Sequence, residues 1–501
     1  MKPDNYPSQP SHLWEHFYRI TQIPRPSREE AAVRRYVIEQ AEAGGRQWRS
    51  DAQGNLVVSV PATPGRESAP RVIIQNHLDM VTVKTEDKTH DFSRDPLSLQ
   101  VEDGWLRADR TTLGADNGVG CAAALALLTD PELVHPTLEL LFTVDEETGL
   151  GGALNLDPDL LHGDLMLNLD TEDWNELYVG CAGGGGWEFT RDFAVSPGAE
   201  RCWRLVLKGL AGGHSGIQIH EQLGNAAKML CQCLESVAGL KLGAMDVGVA
   251  HNVIPREGWI DFSASEEAIV ELEAGLRETE LHWRGYLPEA DHGLALALAE
   301  TAPVPLLSEG DSRSVLDVIA AWPHGAQAYN LHQPAELVDL SVNLAIARLS
   351  GGEFFVESSY RFFNEAQSLP LQQSIQALAR AYALSATPVV GYPGWQPDFD
   401  SPLLHRAIGV HRDLFGHDPA VKAIHAGLEC GILKGKKPDI DILSFGPTIK
   451  GAHSPTERLK IATVEPCWQF LSVLLAGLSE VSSSSIDQRS KAVSSSACTA
   501  A

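Results

Sequence analysis

The 501-residue sequence is poor in cysteine and comparatively poor in basic residues. Its eight cysteines include no CxxC pair. Such scattered thiols in so long a chain argue against a disulfide framework and against a structural thiolate zinc site. Lys and Arg number 39 against 66 Asp and Glu, which gives a formal charge of -27. Since nucleic acids and anionic lipids attract positive faces, neither is expected as a partner.

Long hydrophobic runs are also lacking. The N-terminus, MKPDNYPSQPSHLWEHF, has no apolar core of the kind found in a signal peptide. The most apolar stretches, at 121–128 and 470–478, are shorter than the roughly 20 residues that span a bilayer. We therefore expect a cytoplasmic protein with reduced thiols and no membrane segment. The tail, 482–501, is rich in Ser and Ala and is predicted to be disordered.

Enough apolar sequence is present for a large core, since 44% of the residues are hydrophobic. The length predicts two or more domains. In the first part of the chain, strands are predicted at 71–81, 138–144 and 164–170, and a helix at 117–128 follows a Gly-rich turn. This alternation predicts an α/β fold, in which binding sites gather at the carboxyl ends of strands.

The middle of the chain has a different character. Longer helical patterns and separate strands occur there, and residue types that bind metals become sparse. Short strands with Gly/Pro turns return at 420–431 and 439–447. An inserted domain would explain why His453 lies so far along the sequence from the other candidate ligands. The predicted division is a discontinuous catalytic domain, 1–190 and 385–481, and an insertion, 191–384.

Histidine and acidic side chains follow several predicted strands. His77 and Asp79 share a strand face because alternate residues point the same way, and a carboxylate commonly orients a histidine ligand. Alone, this pair also suits a surface or core histidine. Asp116, flanked by glycines in TTLGADNGVG, would be presented at a helix start, but for this motif alone an Asx turn with an N-cap is the favoured explanation. A phosphate loop is disfavoured because neither GxGxxG nor a GK[ST] ending occurs.

Three consecutive carboxylates open the segment DEETGLGG, 145–152. Three consecutive acids after a buried strand repel one another unless a solvated loop or a divalent cation compensates them. With a cation, one carboxylate can bind metal while its neighbour takes a proton from water. Asp170 and His453 each suit a structural role when taken alone. Together the candidates form a nitrogen and oxygen ligand set that suits zinc, with manganese or cobalt possible: His77, Asp116, Glu147, Asp170 and His453.

Several motifs resemble those of the M20 metallopeptidases, and within that family those of the bacterial aminoacyl-histidine dipeptidases (cytosolic non-specific dipeptidases): HLDMV, TTLGADNGVG, DEETG, NLDTE and GAHSPTE. Further motifs extend the likeness over nearly the whole chain apart from the tail: GCAGGG, GGHSG, HNVIPRE, YPGWQPD and HAGLECG. The resemblance implies a zinc-peptidase domain with a mixed central sheet flanked by helices, and an inserted α/β domain that acts as lid and dimerisation domain. It also implies a homodimer with two zinc ions per subunit.

The resemblance implies roles for individual residues of the catalytic domain. Asp116 would bridge the two zinc ions, and Asp79 would orient His77. Glu146 would be the general base. Asp145 stands where relatives often carry an uncharged residue, and we interpret it as a spectator.

Residues of the later motifs are candidates for stabilising the oxyanion and for recognising the substrate. The resemblance implies that His214 of GGHSG stabilises the oxyanion, acting either within its own subunit or from the partner subunit. Asn252, Arg361 and the backbone around Gly427 are candidates for the substrate's C-terminal carboxylate, because Arg offers a bidentate fork. A structural salt bridge is the alternative for Arg361. Glu429 would either meet the substrate's amino group or brace its loop.

The predicted activity is hydrolysis of dipeptides, of Xaa-His types such as carnosine. An N-acyl amino acid deacylase would keep the metal ligands but change the residues that recognise the substrate's ends. A non-catalytic binding protein on the same fold is a further alternative. The intact Glu146 argues against it, because binding alone needs no general base.

Overall fold

The computed structural model of the protein describes residues 2–197, 201–331 and 337–480. The chain divides into two compact units, and along the sequence the second interrupts the first. The first unit comprises residues 1–180, 397–423 and 428–501, and the second comprises residues 181–396 and 424–427. The predicted disordered tail, 482–501, lies outside the described residues.

The helices of the described residues are, in chain order, α1 Ser11–Thr21, α2 Ala31–Ala43, α3 Ala115–Thr129, α4 Gly151–Leu154, α5 Ala226–Leu234, α6 Glu266–Arg284, α7 Glu309–Ala321, α8 Glu365–Ala381, α9 Pro402–Phe415, α10 Glu429–Lys436 and α11 Ile461–Leu478. The strands are β1 Gln47–Ser50, β2 Leu56–Val60, β3 Val72–His77, β4 Leu99–Glu102, β5 Trp105–Ala108, β6 Leu138–Thr143, β7 Leu165–Asn168, β8 Glu176–Cys181, β9 Gly183–Asp192, β10 Cys202–Lys208, β11 Gly213–His214, β12 Lys241–Val247, β13 Val253–Ile254, β14 Gly258–Ser263, β15 Ala295–Thr301, β16 Gly325–Tyr329, β17 Val338–Ser350, β18 Glu353–Phe362, β19 Ser385–Tyr392, β20 Ala420–Ile424, β21 Asp441–Ser444, β22 Ile449–Lys450 and β23 Arg458–Lys460.

An eight-stranded mixed sheet forms the centre of the first unit, in the order β1-β2-β6-β3-β7-β21-β8-β20. The four inner strands β6, β3, β7 and β21 run parallel, whereas β1, β2 and β8 run antiparallel to their neighbours. Every residue of β3, β6 and β7 is buried, as expected for parallel strands covered on both faces. Helix α3 packs on β3 and against α1 and α2. The predicted α/β fold with a mixed central sheet is confirmed.

The last helix, α11, is the one described helix that is long and apolar enough to cross a membrane by length and composition. It packs against α9, and the Phe470 ring meets the Phe445 ring edge-on at 4.9 Å between centroids. The leucines at 471, 474, 475 and 478 are buried. These contacts are those of a core helix in the first unit.

The second unit contains a nine-stranded sheet with the order β15-β10-β14-β12-β17-β18-β9-β19, and β16 also pairs with β17. Its neighbouring strands are antiparallel. Helices α5, α6, α7 and α8 pack on these strands, and large aromatic side chains such as Phe262, Trp283 and Trp322 are buried in the core. Strand β9 pairs with β18 along its whole length. The predicted boundary at 190/191 would cut this pairing, which is why the unit begins earlier.

Candidate metal centre

The candidate ligands follow the parallel strands of the first unit. His77 is the last residue of β3, Glu147 lies four residues beyond β6, and Asp170 lies two residues beyond β7. Strands β6 and β7 flank β3 on either side in parallel. Because the carboxyl ends of parallel neighbours meet at one edge of the sheet, these side chains converge although they are up to 93 positions apart.

Asp116 is presented by the loop that opens α3. Gly114, the residue before the helix, has a φ of 65°, in the left-handed region that favours glycine. A Cβ at that position would clash with the buried guanidinium of Arg25. Asp116 itself has non-helical backbone angles, with φ of -77° and ψ of 113°. The predicted Gly-rich presentation therefore has a steric cause.

Two histidines meet the two oxygens of Asp116. His77 Nε2 lies 3.0 Å from Oδ1, and His453 Nε2 lies 3.1 Å from Oδ2. His77 Nε2 also lies 3.4 Å from Asp170 Oδ1, and His453 Nε2 lies 3.1 Å from Glu147 Oε2. Two adjoining groups of potential ligands thus share Asp116. Ligand atoms on a tetrahedral zinc ion, with bonds of about 2.0–2.2 Å, lie about 3.3–3.6 Å apart, so each group could hold a divalent cation after a small outward shift of its side chains.

The charges of the cluster are poorly compensated by the protein. Burial raises the pKa of Glu146 well above its ordinary value, against the opposing effect of His77. Burial likewise raises the pKa of Asp170 to about 6. Burial has the same tendency at Asp116, but hydrogen bonds with His453 and His77 hold the pKa of this carboxyl well below its usual range. Cations would supply the missing positive charge.

One ligand atom is left over in this arrangement. Glu147 Oε1 is buried and has no hydrogen-bond partner among the described residues. A buried carboxylate oxygen is costly without a partner, and a cation would provide one. Together with the imidazole and carboxylate donors, this orphaned oxygen makes the residues present suitable ligands for divalent cations. We call the five side chains His77, Asp116, Glu147, Asp170 and His453 the candidate cage.

Asp79 connects two parts of the candidate cage. Its Oδ1 lies 3.4 Å from His77 Nδ1. The backbone N–H groups of Glu146 and Glu147 donate to its two oxygens at 3.1 and 3.0 Å. The hydroxyl of Ser27 donates to it at 2.8 Å. One fully buried carboxylate therefore fixes both the imidazole and the turn that carries the two glutamates.

Asp145 has a structural role that the interpretation as a spectator did not include. Its φ of 52° places it in the left-handed region. Arg28 Nε donates to its side chain at 3.2 Å, and the Thr148 hydroxyl donates to the same carboxylate. Its own N–H donates to Glu30 Oε1 at 2.9 Å. The residue thus holds the sharp turn that places Glu146 and the glutamate after it.

Two buried residues that support Asp116 were not identified from the sequence. Glu457 accepts hydrogen bonds from the N–H groups of Leu113, Gly114 and Ala115 at 2.7 to 2.9 Å. Arg25 donates to the carbonyl oxygens of residues 78, 79 and 114. The signal for Glu457 was its place at the end of the GAHSPTE motif, four residues after the histidine. No sequence pattern indicated a role for Arg25, because its hydrogen-bond partners are main-chain atoms.

The predicted oxyanion residue His214 and the predicted substrate-binding residue Arg361 meet within the second unit. The N–H groups of Gly216 and Ile217 each donate to His214 Nδ1 at 3.1 Å. A Cβ on Gly216 would lie 3.0 Å from His214 Cε1 and 3.1 Å from Arg361 Nε, so both side chains border this glycine. Burial lowers the pKa of His214 to about 4, and Arg361 adds to the effect.

Arg361 is held by an aromatic hydroxyl. Its Nη1 donates to Tyr392 Oη at 3.0 Å, and its Nε is buried without a partner among the described residues. No ion pair of Arg361 occurs in the described part of the chain, so the alternative of a structural salt bridge has no support. A Cβ on Gly427 would lie 2.7–2.9 Å from the Tyr392 ring and hydroxyl. The main-chain carbonyl oxygen of Asn252 accepts a hydrogen bond from Ser215 N–H at 2.9 Å.

Glu429 lies in the first unit and is fully buried. Gln75 Nε2 and Thr143 Oγ1 each donate to its Oε2 at 2.6 Å. Of the two roles considered for Glu429, these contacts match a bracing role.

Residues 73–476 match the model of peptidase family M20/M25/M40. The chain belongs to this family. It is accordingly a peptide hydrolase, and the predicted family resemblance is confirmed. The M20 chain is 35% identical over 474 residues to the "Cytosol non-specific dipeptidase" of Escherichia coli (strain K12). The matched region covers 93% of this chain and 97% of that protein.

Solved structures agree with this membership. The aminoacylhistidine dipeptidase from Vibrio alginolyticus superimposes on this M20 peptidase with a TM-score of 0.85 and 34% sequence identity, over 94% of this chain and 97% of that one. A tripeptidase from Staphylococcus aureus shares the fold, with a TM-score of 0.53 and 15% identity over 94% and 98% of the two chains. The family and the fold are thus shown.

Proposed function

We propose that this M20 peptidase is a cytoplasmic homodimeric dipeptidase that uses two divalent cations, zinc in the first place, and Glu146 as general base. The observation that carries the proposal is the arrangement around Asp116, whose two oxygens each meet one histidine. The names of the relatives from Escherichia coli and Vibrio alginolyticus support a dipeptide substrate, and the second of them supports a preference for Xaa-His dipeptides such as carnosine.

His77, Asp116 and Asp170 would hold one cation, and Asp116, Glu147 and His453 would hold the other. When bound, such cations lower the pKa of water and polarise a carbonyl oxygen. Asp79 keeps His77 oriented for this purpose.

Glu146 would move the proton during hydrolysis. It would take a proton from the attacking water as the new C–O bond forms at the scissile carbonyl. When the C–N bond breaks, it would pass that proton to the leaving amine. Its main-chain N–H is held by Asp79, so the carboxylate starts from a fixed backbone position, which proton transfer to a positioned group requires.

His214 is suited to stabilise the oxyanion. Because its Nδ1 accepts two backbone hydrogen bonds, the proton of the neutral ring is on Nε2. A pKa of about 4 keeps the ring neutral at pH 7, with Nε2–H as its one donor. Such a pre-oriented donor is what oxyanion stabilisation needs.

Arg361, Asn252 and Gly427 would receive the C-terminal carboxylate of the dipeptide. The guanidinium has a free buried Nε and a Tyr392 hydroxyl that fixes its Nη1. A held guanidinium with free N–H groups can bind a carboxylate in bidentate fashion.

A substrate panel tests the proposed substrate class. Dipeptides that include carnosine, matched tripeptides and N-acetyl amino acids are compared by kcat/KM. Dipeptides should be preferred, because both ends of the substrate would be recognised. A preference for the acetylated compounds would identify the chain as an N-acyl amino acid deacylase and overturn the proposal.

Glu146→Gln tests the proposed base. We expect kcat to fall by about 10²–10⁴-fold, the usual contribution of a general base, while metal content measured by elemental analysis stays at the parent level. Glu146→Asp is the matched control, which keeps the carboxylate and should retain more activity. Full activity of the Gln variant with both cations bound would contradict the mechanism.

The homodimer is tested by light scattering on the eluting protein. The mass of one chain is 54.2 kDa, so twice that mass is expected. A monomer of full activity would exclude any contribution of a partner's His214.

A further inference from the structure

Four neighbouring strands of the first unit each contribute a buried polar side chain to one hydrogen-bonded row at or near their carboxyl ends. These are Thr143 on β6, Gln75 on β3, Asn168 on β7 and Ser444 on β21, and each has no exposed surface. Gln75 pairs in register with Asn168, and Asn168 pairs with Ser444. Burying polar groups is costly unless each finds a hydrogen-bond partner. We call this set the polar row.

The polar row lies directly beneath the candidate cage. Gln75 stands two residues before His77, and Asn168 stands two residues before Asp170. Since side chains two apart on a strand lie on the same face, Gln75 is the neighbour of the first cage histidine. Displacing the row would therefore displace the ligands above it.

The hydrogen bonds of the polar row run in one direction. The N–H of Asp170 donates to Asn168 Oδ1 at 3.3 Å, and Ser444 Oγ donates to the same oxygen at 2.5 Å. A main-chain N–H can only donate, so the Asn168 amide must turn its nitrogen the other way. Its Nδ2 donates to Gln75 Oε1 at 2.5 Å. Because Gln75 Oε1 accepts this hydrogen bond, the Gln75 amide must direct its nitrogen away from Asn168.

The chain of amides therefore needs an acceptor where it ends, and Glu429 supplies it. Gln75 Nε2 donates to Glu429 Oε2 at 2.6 Å, and Thr143 Oγ1 donates to the same oxygen at 2.6 Å. Glu429 is the first residue of α10, and its carboxyl group has no exposed surface. It forms no ion pair among the described residues. A buried carboxyl group that two neutral donors hold is expensive, which suggests a use beyond stability.

We infer that Glu429 is a positioning residue for the candidate cage, because it terminates the hydrogen-bonded polar row that aligns the strand ends carrying His77 and Asp170. The inference rests on the proposed function, since it requires that the cage hold cations. Glu429 touches neither the cations nor the substrate in this role. It acts through the two amides of Gln75 and Asn168.

Two conservative variants separate the hydrogen bond from the charge. Glu429→Gln keeps the length and an oxygen acceptor but removes the acid. Glu429→Asp keeps the acid but shortens the side chain by one methylene, so its oxygen withdraws from Gln75. Both are small changes, and urea denaturation of each variant checks that the chain folds.

The metal-free full chain is titrated with Co²⁺. The affinity is obtained from the titration, and the ligand environment of the bound ion from its visible absorption spectrum. We expect Glu429→Asp to weaken Co²⁺ binding by about 10–100-fold, as loss of an outer support does, and to alter the absorption spectrum. Glu429→Gln should bind with nearly parental affinity and spectrum. This pattern is not expected if Glu429 contributes to stability alone.

Two outcomes would overturn the inference, and KM for dipeptides distinguishes two explanations of the first. If both variants bind Co²⁺ like the parent, the row does not position the cage, even if the urea midpoint falls. If Glu429→Gln weakens Co²⁺ binding and Glu429→Asp does not, Co²⁺ binding depends on the charge of Glu429 and not on the length of its side chain. If Co²⁺ binding is parental in both variants but KM for dipeptides rises, Glu429 meets the substrate. A parent chain that binds no Co²⁺ would instead overturn the proposed function itself.

Discussion

At the scale of single residues, the support of Asp116 depends on one distant carboxylate. Glu457 receives three short backbone hydrogen bonds from the loop of residues 113–115 and a longer one of 3.3 Å from Asp116 N–H. Both carboxylate oxygens are used. A glutamine in the same place would direct its side-chain NH2 group at two main-chain N–H groups, so donors would face donors. The side chain is therefore required as an ionised acceptor.

Glu457→Gln is predicted to lower the free energy of unfolding by roughly 3 kcal/mol, because an unsatisfied buried donor costs about 1–3 kcal/mol and two are created. Activity should fall as well, since the loop carries Asp116. Urea denaturation and kcat/KM measure the two effects. The matched control is Glu465→Gln on the exposed side of α11, which should change stability by less than about 0.5 kcal/mol. Equal stability of the two variants would contradict the assigned role.

At the scale of secondary-structure elements, His16 connects three helices. It lies on α1 and is 6% exposed. Its Nδ1 lies 2.8 Å from Tyr36 Oη on α2, and its Nε2 lies 3.0 Å from Thr129 Oγ1 on α3. Burial lowers the pKa of His16 to about 4. The imidazole is thus neutral in the folded chain at pH values where it is charged in the unfolded chain.

This shift predicts a pH dependence of stability. Below the ordinary pKa of 6.5, the unfolded chain binds a proton that folded His16 does not, so unfolding is favoured as the pH falls from 6.5 to about 4. The loss approaches roughly 3 kcal/mol at the lower end. We expect His16→Gln to flatten the dependence of the urea midpoint over this range. The exposed His405→Gln should leave it unchanged, and a parental slope in His16→Gln would disprove the link.

At the scale of the whole molecule, the proposed cation binding would be coupled to folding through the candidate cage. Its carboxylates are brought together only when the parallel strands are paired, so the unfolded chain has no equivalent site. A ligand that binds only the folded chain stabilises it by about 2.7 kcal/mol at 100 times its Kd.

Removal of metal should therefore lower the thermal midpoint, and adding back zinc should restore it together with activity. Differential scanning fluorimetry at several zinc concentrations measures the response. Asp116→Asn is the informative variant, because Asp116 belongs to two ligand groups, one with His77 and one with His453. It should respond much less than the parent. A midpoint in the parent that is independent of zinc would count against the cage.

Much of the fold could be predicted because it follows from local patterns. The apolar runs before His77, Glu146 and Asp170 are confirmed as buried parallel strands. Since parallel strands end at one edge, the sequence also predicted that these residues gather there. The limits of the second unit were less predictable. They depend on the pairing of β9 with β18, whose partners are 161 residues apart at Asp192 and Glu353 and 179 residues apart at Gly183 and Phe362.

By itself, the sequence determined which side chains stand at the strand ends, because hydrophobic periodicity and the positions of glycine are local properties. The family motifs added the assignment of roles. Only the tertiary structure decided what supports those side chains. Glu457 and Glu429 reach their partners across more than 280 residues of sequence, and Arg25 contacts carbonyl oxygens that every residue has. Such contacts leave no periodic trace, since they arise only when distant segments are packed together.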